Sequence, residues 1–183
     1  SSRSSGSDIE CAVWLGAIVW ILAVQFFVAQ IVVQSAWVTP FSLTRNFISD
    51  LGNTACGPYP ADSSTYVCSP WHVWMNISFV GLGLIIQFGV ELVRGGFPAG
   101  QIRAVGFTLL SVAGLGLILV GLLPENVNLT ILKVGAAAQF VSGNLAVSVL
   151  GIAMGWARRR PVLAAYSVAS GVVGLLATVL FIS

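Results

Sequence analysis

The sequence predicts an all-α fold, a polytopic transmembrane helix bundle of five spans with a long outer loop pinned by a disulfide. Hydrophobic residues make up 57% of the 183-residue chain and charged residues only 8%, whereas a soluble domain carries about 25% charged residues. The mean hydropathy is +0.95. Apolar residues are also grouped into runs of about 20, the length a helix needs to cross a bilayer.

The apolar runs divide the whole chain, so we treat residues 1–183 as a single transmembrane domain. The predicted spans cover about residues 9–33, 73–93, 102–123, 131–156 and 162–182, and the outer loop covers residues 34–72.

Basic residues near the span ends predict the orientation, because short cytoplasmic loops are enriched in Lys and Arg. On a five-span path, Arg45 and Lys133 fall on one side of the membrane. The other side receives Arg3, Arg94, Arg103, Arg158, Arg159 and Arg160. We therefore expect a multi-pass protein of the plasma membrane with a cytoplasmic N-terminus and an extracytoplasmic loop 34–72.

Two of the three cysteines lie in the predicted outer loop, on the side where disulfides persist. We expect Cys56 and Cys68 to pair and to stabilise the fold by about 2 to 4 kcal/mol. The alternative is that both stay unpaired. Cys11 lies at the predicted cytoplasmic end of the first span and is expected to remain a thiol.

Small and neutral polar residues mark the predicted spans. Gly151 and Gly155 recur at a four-residue spacing that lets helices approach closely in lipid. We interpret the intramembrane amides and hydroxyls as interhelical contacts, with a polar substrate path as the alternative. They are Gln25, Gln87, Gln139, Asn144 and Ser148. No ionisable residue is predicted at mid-membrane, which disfavours a proton-coupled transporter.

A short motif follows the first predicted span. The residues Asn46, Ile48, Ser49, Asp50, Leu51 and Gly52 resemble the Asn-x-Ile-Ser-Asp-Leu-Gly signature of a bacterial and archaeal family of small polytopic membrane proteins, known only as a domain of unknown function. The segment GLLPEN at residues 121–126 is similar to that family's second recurrent feature. Members commonly have six spans and a His soon after Pro-Glu, where this chain has five spans and Val127-Asn128. The resemblance implies an architecture and a place for a site, but no reaction.

The predicted topology gathers polar residues above the outer end of the bundle. The candidate ligand-binding residues are Arg45, Asn46, Asp50, His72, Asn76 and Glu125. Our first hypothesis is a polar pocket there that binds a lipid headgroup or small amphiphile, or a face that docks a partner. The structural alternative is that Asp50 caps a turn and pairs with Arg45.

Two further function classes remain open. One is a membrane enzyme acting on lipid at the outer face, in which His72 pairs with Asp50 or Glu125. The hypothetical nucleophiles of that enzyme are Ser42, Ser49 and Ser69. The other is a transporter protomer. It would need to oligomerise, because five glycine-rich spans offer little room for a transport pathway within a single protomer.

The partners follow from the same composition. We expect membrane lipids as partners, with a homo-oligomer or another membrane protein as further candidates. The charges are too few and too scattered for a nucleic-acid surface. We expect no cofactor and no metal site, because a single His with Asp50, Asp62 and Glu125 shows no metal-ligand spacing.

Overall fold

A computed structural model describes residues 2–59, 65–156 and 160–182. The predictions that involve Asp62, Arg158, Arg159 and the side chain of Arg3 lie outside the described residues. Within these ranges the chain forms the helices α1 (Ser2–Ile21), α2 (Val24–Ser35), α3 (His72–Val93), α4 (Gln101–Leu122), α5 (Glu125–Ala137), α6 (Gly143–Trp156) and α7 (Pro161–Ile182). A π-helical segment, Ala138–Ser142, joins α5 to α6.

Five helical stretches of the described chain are long and apolar enough to cross a membrane. They are Gly6–Ser35, His72–Gly96, Gln101–Leu122, Glu125–Gly155 and Pro161–Leu180. The first joins α1 with α2, and the fourth joins α5 with α6. This number and the helical character confirm the predicted five-span bundle, so the chain is a multi-pass membrane protein.

α4 is the central helix of the bundle. α4 contacts α3, α5 and α6, while α7 packs mainly on α6 and both α1 and α2 pack on α3. Neutral amides join two of these pairs. Gln25 Nε2 donates to the Ser78 carbonyl at 3.1 Å, and Ser78 Oγ donates back to Gln25 Oε1 at 2.8 Å. Gln87 Nε2 donates to the Ser111 carbonyl at 2.7 Å, so both glutamines are interhelical contacts.

Two other polar residues of the predicted spans each donate to a carbonyl four residues earlier in the same helical stretch. Asn144 Nδ2 donates to the Phe140 carbonyl at 2.7 Å, and Ser148 Oγ donates to the Asn144 carbonyl at 3.1 Å. The Asn144 and Ser148 side chains also pack against small residues of α7. A side chain at Gly171 or Gly174 would collide with Ser148 or Asn144, respectively. The polar residues of α6 therefore occupy space that the glycines of α7 leave open.

α3 and α4 approach each other closely at a pair of glycines that the sequence pattern did not single out. A Cβ atom added to Gly83 would lie 2.5 Å from the Gly114 carbonyl oxygen and 2.6 Å from a side-chain carbon of Ile118. In lipid, such backbone contact replaces the hydrophobic drive that holds soluble helices together. Gly83 and Gly114 are therefore required for the α3–α4 interface.

The described residues of the long loop between α2 and α3, 36–59 and 65–71, fold back onto the bundle. Its residues Leu51 and Val67 are fully buried in one hydrophobic cluster with Met75 and Phe79 of α3 and Leu117 of α4. Burying two aliphatic side chains of this size stabilises the contact by about 3 to 6 kcal/mol before the entropy of ordering the loop is subtracted. The loop is thus a packed cap on one end of the bundle.

A disulfide joins Cys56 to Cys68, as predicted, and Cys11 is free and exposed. The bridge lies beside a short antiparallel ladder of β1 (Gly57–Pro58) and β2 (Tyr66–Val67), which was not predicted from the sequence. Strands of two residues leave no periodic pattern to detect.

Removing this disulfide is expected to loosen the loop. We expect the double variant Cys56→Ser/Cys68→Ser to lose about 2 kcal/mol of stability, because the bridge restricts the unfolded chain. Thermal unfolding in mild detergent measures the loss, and hydrogen exchange at residues 54–59 should increase. Cys11→Ser is the control and should unfold like the parent. Equal midpoints for all three proteins would contradict the expected role.

Candidate functional site

The candidate site begins with a 3-10 turn, Ile48–Gly52, in the long loop. Asp50 is only 4% exposed. Its Oδ2 accepts the Phe47 backbone N–H at 3.0 Å and the Asn46 amide at 3.3 Å. The Asp50 backbone N–H donates to the Phe47 carbonyl at 3.1 Å. Asp50 therefore caps its own turn, as the structural alternative predicted.

The predicted ion pair between Arg45 and Asp50 is wrong. Arg45 is exposed, and the salt bridge found among the described residues joins Arg94 to Glu91 instead. The capping bonds explain the difference, because backbone and amide donors already occupy Asp50 Oδ2 on the buried side of the turn.

Glu125, the first residue of α5, contacts the Ile48–Gly52 turn through hydrogen bonds. The backbone of Asn128 is not helical, with φ −153° and ψ 89°. The backbone N–H groups of Val127 and Asn128 both donate to the Pro124 carbonyl, at 2.9 and 3.0 Å. Asn128 Oδ1 then accepts the Ile131 N–H at 3.0 Å, the geometry of an N-cap. This break forms a separate turn that carries Glu125.

Glu125 is 5% exposed and is held by the loop from both sides. Ser49 Oγ donates to Glu125 Oε2 at 3.0 Å, and Asn53 Nδ2 donates to Oε1 at 3.3 Å. The carboxyl groups of Asp50 and Glu125 also lie within hydrogen-bonding reach of each other. Two buried carboxyl groups, separated by 75 residues in the sequence, thus form one acidic cluster with Ser49 and Asn53.

Tyr59 borders this acidic cluster. Its hydroxyl donates to the Glu125 carbonyl at 3.1 Å. Burial, together with the negative charges of Glu125 and Asp50, raises the pKa of the Tyr59 hydroxyl above its usual value. Tyr59 therefore stays a neutral donor at physiological pH.

A second contact joins the loop to the α5 turn on the exposed side. The Thr54 N–H donates to Asn126 Oδ1 at 3.1 Å, and Asn126 Nδ2 donates to the Thr54 hydroxyl at 2.8 Å. Asn53, Thr54 and Tyr59 were not among the site residues predicted from the sequence. The segment GLLPEN did point to Asn126, but only the fold places it against the loop.

Two other candidate residues hold the loop to the start of α3. Asn76 Nδ2 donates to the Gly52 carbonyl at 2.9 Å. His72 Nδ1 lies 2.9 Å from the Ser69 carbonyl, to which it can only donate, and Ser69 Oγ donates to the Leu51 carbonyl at 2.7 Å. This hydrogen bond of His72 goes to a carbonyl and not to a carboxylate as the acid–base hypothesis predicted.

Arg45 lies on a separate exposed turn, Ser42–Asn46, which we call the arginine turn. The Ser42 carbonyl accepts the backbone N–H groups of Arg45 and Asn46 at 3.0 and 2.8 Å. Asn46 Oδ1 accepts the Ser42 N–H at 3.1 Å. The hydroxyls of Ser42 and Thr44 are 3.0 Å apart, and the Leu43 side chain between them is 77% exposed.

The structure thus divides the six predicted site residues. Asn46, Asp50 and Glu125 meet in or beside the acidic cluster, Asn76 and His72 support it from α3, and Arg45 is exposed on the arginine turn. In the described ranges, no group of three or more His, Cys, Asp or Glu residues is arranged to hold a metal ion.

Comparison with known proteins gives one match. A family model described as "Protein of unknown function (DUF998)" matches residues 21–183. No curated protein and no solved structure matches the chain. The matched segment includes the long loop, the acidic cluster and the helices from α2 onward. The chain therefore belongs to the DUF998 family of proteins of unknown function.

Proposed function

We propose that this membrane protein binds the phosphate of an anionic lipid headgroup at the arginine turn, on the extracytoplasmic face of the plasma membrane. The observation that carries the proposal is the exposure of Arg45. Its guanidinium forms no salt bridge within the described chain, although Asp50 is only five residues away. An arginine left free in this way is available to an external anion.

The groups around Arg45 suit a phosphate. Arginine offers planar donors that bind phosphate oxygens in pairs. The adjacent hydroxyls of Ser42 and Thr44 can add hydrogen bonds to the same group. A phosphate contacted by all three side chains would have its charge balanced and most of its oxygens hydrogen-bonded.

The apolar neighbours of Arg45 favour a lipid as the source of the phosphate. Leu43 and Phe47 are exposed on either side of Arg45. Exposed apolar side chains beside a cation suit the boundary between headgroups and acyl chains. A soluble phosphate would gain nothing from Leu43 and Phe47, whereas a lipid would contact both kinds of group.

The buried groups supply rigidity in this proposal. Asn46 closes the arginine turn through its Oδ1 and also donates to Asp50. Asp50 and Glu125 then fix the following turn against α5, with Asn76 and His72 supporting it from α3. A turn held in its binding geometry loses less entropy when the ligand binds.

Native mass spectrometry of the protein in mild detergent tests the proposal, with titration of phosphatidylglycerol and phosphatidylcholine. We expect the parent to bind the anionic lipid more tightly, and Arg45→Ala to weaken that binding about tenfold, the equivalent of one charge-assisted hydrogen-bonded contact. Arg45→Lys should restore part of the affinity, because it keeps the charge and loses the planar donors.

The matched control is Lys133→Ala, which removes another exposed positive charge, predicted to lie on the same face. It should bind like the parent. An equal loss in both variants would show that only net charge matters and would overturn the proposed site. Retention of full affinity by Arg45→Ala would also overturn it and would favour the loop as a docking face for a protein partner.

A further inference from the structure

We propose that Ser49, Glu125 and Asp50 form a catalytic group that cleaves carboxylic esters, with Ser49 as nucleophile and Glu125 as general base. This activity does not depend on phosphate binding at Arg45. The geometry that points to it is the hydrogen bond from Ser49 Oγ to Glu125 Oε2, 3.0 Å long, between a loop residue and a residue of the α5 turn.

Ser49 is the one of the three predicted candidate serines whose hydroxyl meets a base in the described structure. Ser42 Oγ shares a hydrogen bond with the Thr44 hydroxyl, and Ser69 Oγ donates to the Leu51 carbonyl. Neither a hydroxyl nor a carbonyl can remove a serine proton at neutral pH. A serine becomes a useful nucleophile only beside a group that accepts its proton.

The base is itself positioned, which is the second requirement of such a site. Asn53 Nδ2 donates to Glu125 Oε1, so that Oε2 is directed at Ser49. Asp50 lies beside the same carboxyl group and is fixed by the Phe47 N–H. Asn53 and Asp50 act as positioning residues, because the Ser49 hydroxyl donates its hydrogen bond to Glu125 and not to either of them.

The proposed nucleophile is more exposed to solvent than the residues that activate and position it, so a substrate can reach it from the surface. Asp50, Asn53 and Glu125 are buried, whereas Ser49 is partly exposed. The side chain of Ile48, its neighbour in sequence, is exposed as well. A buried carboxylate is shielded from water and accepts a proton more readily than an exposed one, while Ser49 remains open to substrate.

The reaction proceeds in two balanced steps. Ser49 Oγ attacks the ester carbonyl carbon while its proton moves to Glu125. The tetrahedral intermediate collapses, the bond to the alcohol oxygen breaks, and Glu125 returns the proton to the leaving alcohol. Water then attacks the acyl-Ser49 ester and gives a proton to Glu125. The carboxylic acid leaves and the proton returns to Ser49 Oγ, with no oxidant or reductant required.

Reaction of the detergent-solubilised full chain with a fluorophosphonate probe tests the nucleophile. We expect the probe to label Ser49, identified by peptide mass spectrometry, and Ser49→Ala to abolish the labelling. Glu125→Gln keeps the size of the side chain and removes the base, so the labelling rate should fall about 100-fold. The control Ser35→Ala removes an exposed hydroxyl bonded only to a carbonyl and should label like the parent.

A pH profile separates positioning from folding. Asp50→Asn should shift the pH dependence of the labelling rate, since it removes a charge beside Glu125, even where the thermal unfolding midpoint shows that the protein is folded. The absence of labelling at Ser49 in a parent protein with a normal unfolding transition would overturn the proposal.

Two ester substrates distinguish a membrane lipid from a soluble ester as the substrate. A short-chain nitrophenyl ester in solution and a diacyl lipid in nanodiscs are compared with the parent and Ser49→Ala. Ser49-dependent hydrolysis of the lipid alone assigns a membrane substrate, and hydrolysis of the nitrophenyl ester alone assigns a soluble one. Hydrolysis of both assigns a general esterase, and hydrolysis of neither overturns the ester assignment.

Discussion

Replacing Gly83 by alanine is expected to cost about 3 kcal/mol of stability, at the upper end of the usual penalty for overpacking. A Cβ atom at this position would lie 2.5 Å from the Gly114 carbonyl oxygen and 2.6 Å from Ile118. The first of these atoms belongs to the backbone of α4 and cannot rotate away. The two helices would have to separate, and the close contact that holds them in lipid would be lost.

Gly81→Ala is a matched control on the same helix, two residues away. A Cβ atom there would meet only Gln25 Nε2, at 3.8 Å, an ordinary contact. Since alanine also favours helix by up to about 1 kcal/mol over glycine, Gly81→Ala should leave stability unchanged or raise it. Thermal unfolding of both variants in the same detergent provides the comparison. Equal effects would mean that the α3–α4 contact does not limit stability.

The second large effect is expected at Glu125. Glu125→Ala should lower stability by about 3 kcal/mol, because the Ser49 hydroxyl and the Asn53 amide lose their acceptor and each buried, unsatisfied group costs about 1 to 3 kcal/mol. The Asp50 carboxyl group, which lies within hydrogen-bonding reach of Glu125, loses its neighbour at the same time. Hydrogen exchange should increase over residues 46–54, where the turn would be released from α5.

Glu91→Ala supplies the comparison for an exposed carboxylate. Glu91 Oε2 lies 3.0 Å from Arg94 Nη1, and both side chains are more than half exposed. Exposed pairs of this kind contribute about 0 to 1 kcal/mol. The unfolding midpoint of Glu91→Ala should therefore stay close to that of the parent. A larger loss in Glu91→Ala than in Glu125→Ala would contradict the assignment of the acidic cluster as the anchor of the loop.

The helical bundle could be predicted from the sequence because the membrane restricts the choices. Long apolar runs in a bilayer must satisfy their own backbone hydrogen bonds, and helices of about 20 residues do so. The number of spans and the Cys56–Cys68 pair followed from run length and from the grouping of two cysteines in one loop. The break before α2 was missed, since Leu22 and Ala23 are as apolar as their neighbours.

The site was predicted only in part. Asp50 and Glu125 were selected because ionisable residues are rare in this chain and topology places them at one end of the bundle. The role given to Arg45 was wrong in one respect, because sequence proximity to Asp50 did not produce an ion pair. A backbone N–H and a side-chain amide already donate to one oxygen of the Asp50 carboxylate. Asn53 and Tyr59 carry no signal in the sequence, because their importance depends on Glu125, more than 60 residues away.

Composition and the length of the apolar runs were thus enough to establish the class of protein, the number of spans and the loop that carries the polar chemistry. The tertiary structure decided which of those polar residues meet. Hydrophobic burial depends on area and so can be summed along a sequence. Hydrogen bonds depend on distances of about 3 Å, and between Ser49 and Glu125 such a distance arises only when Leu51 packs into the bundle and α5 breaks at Asn128.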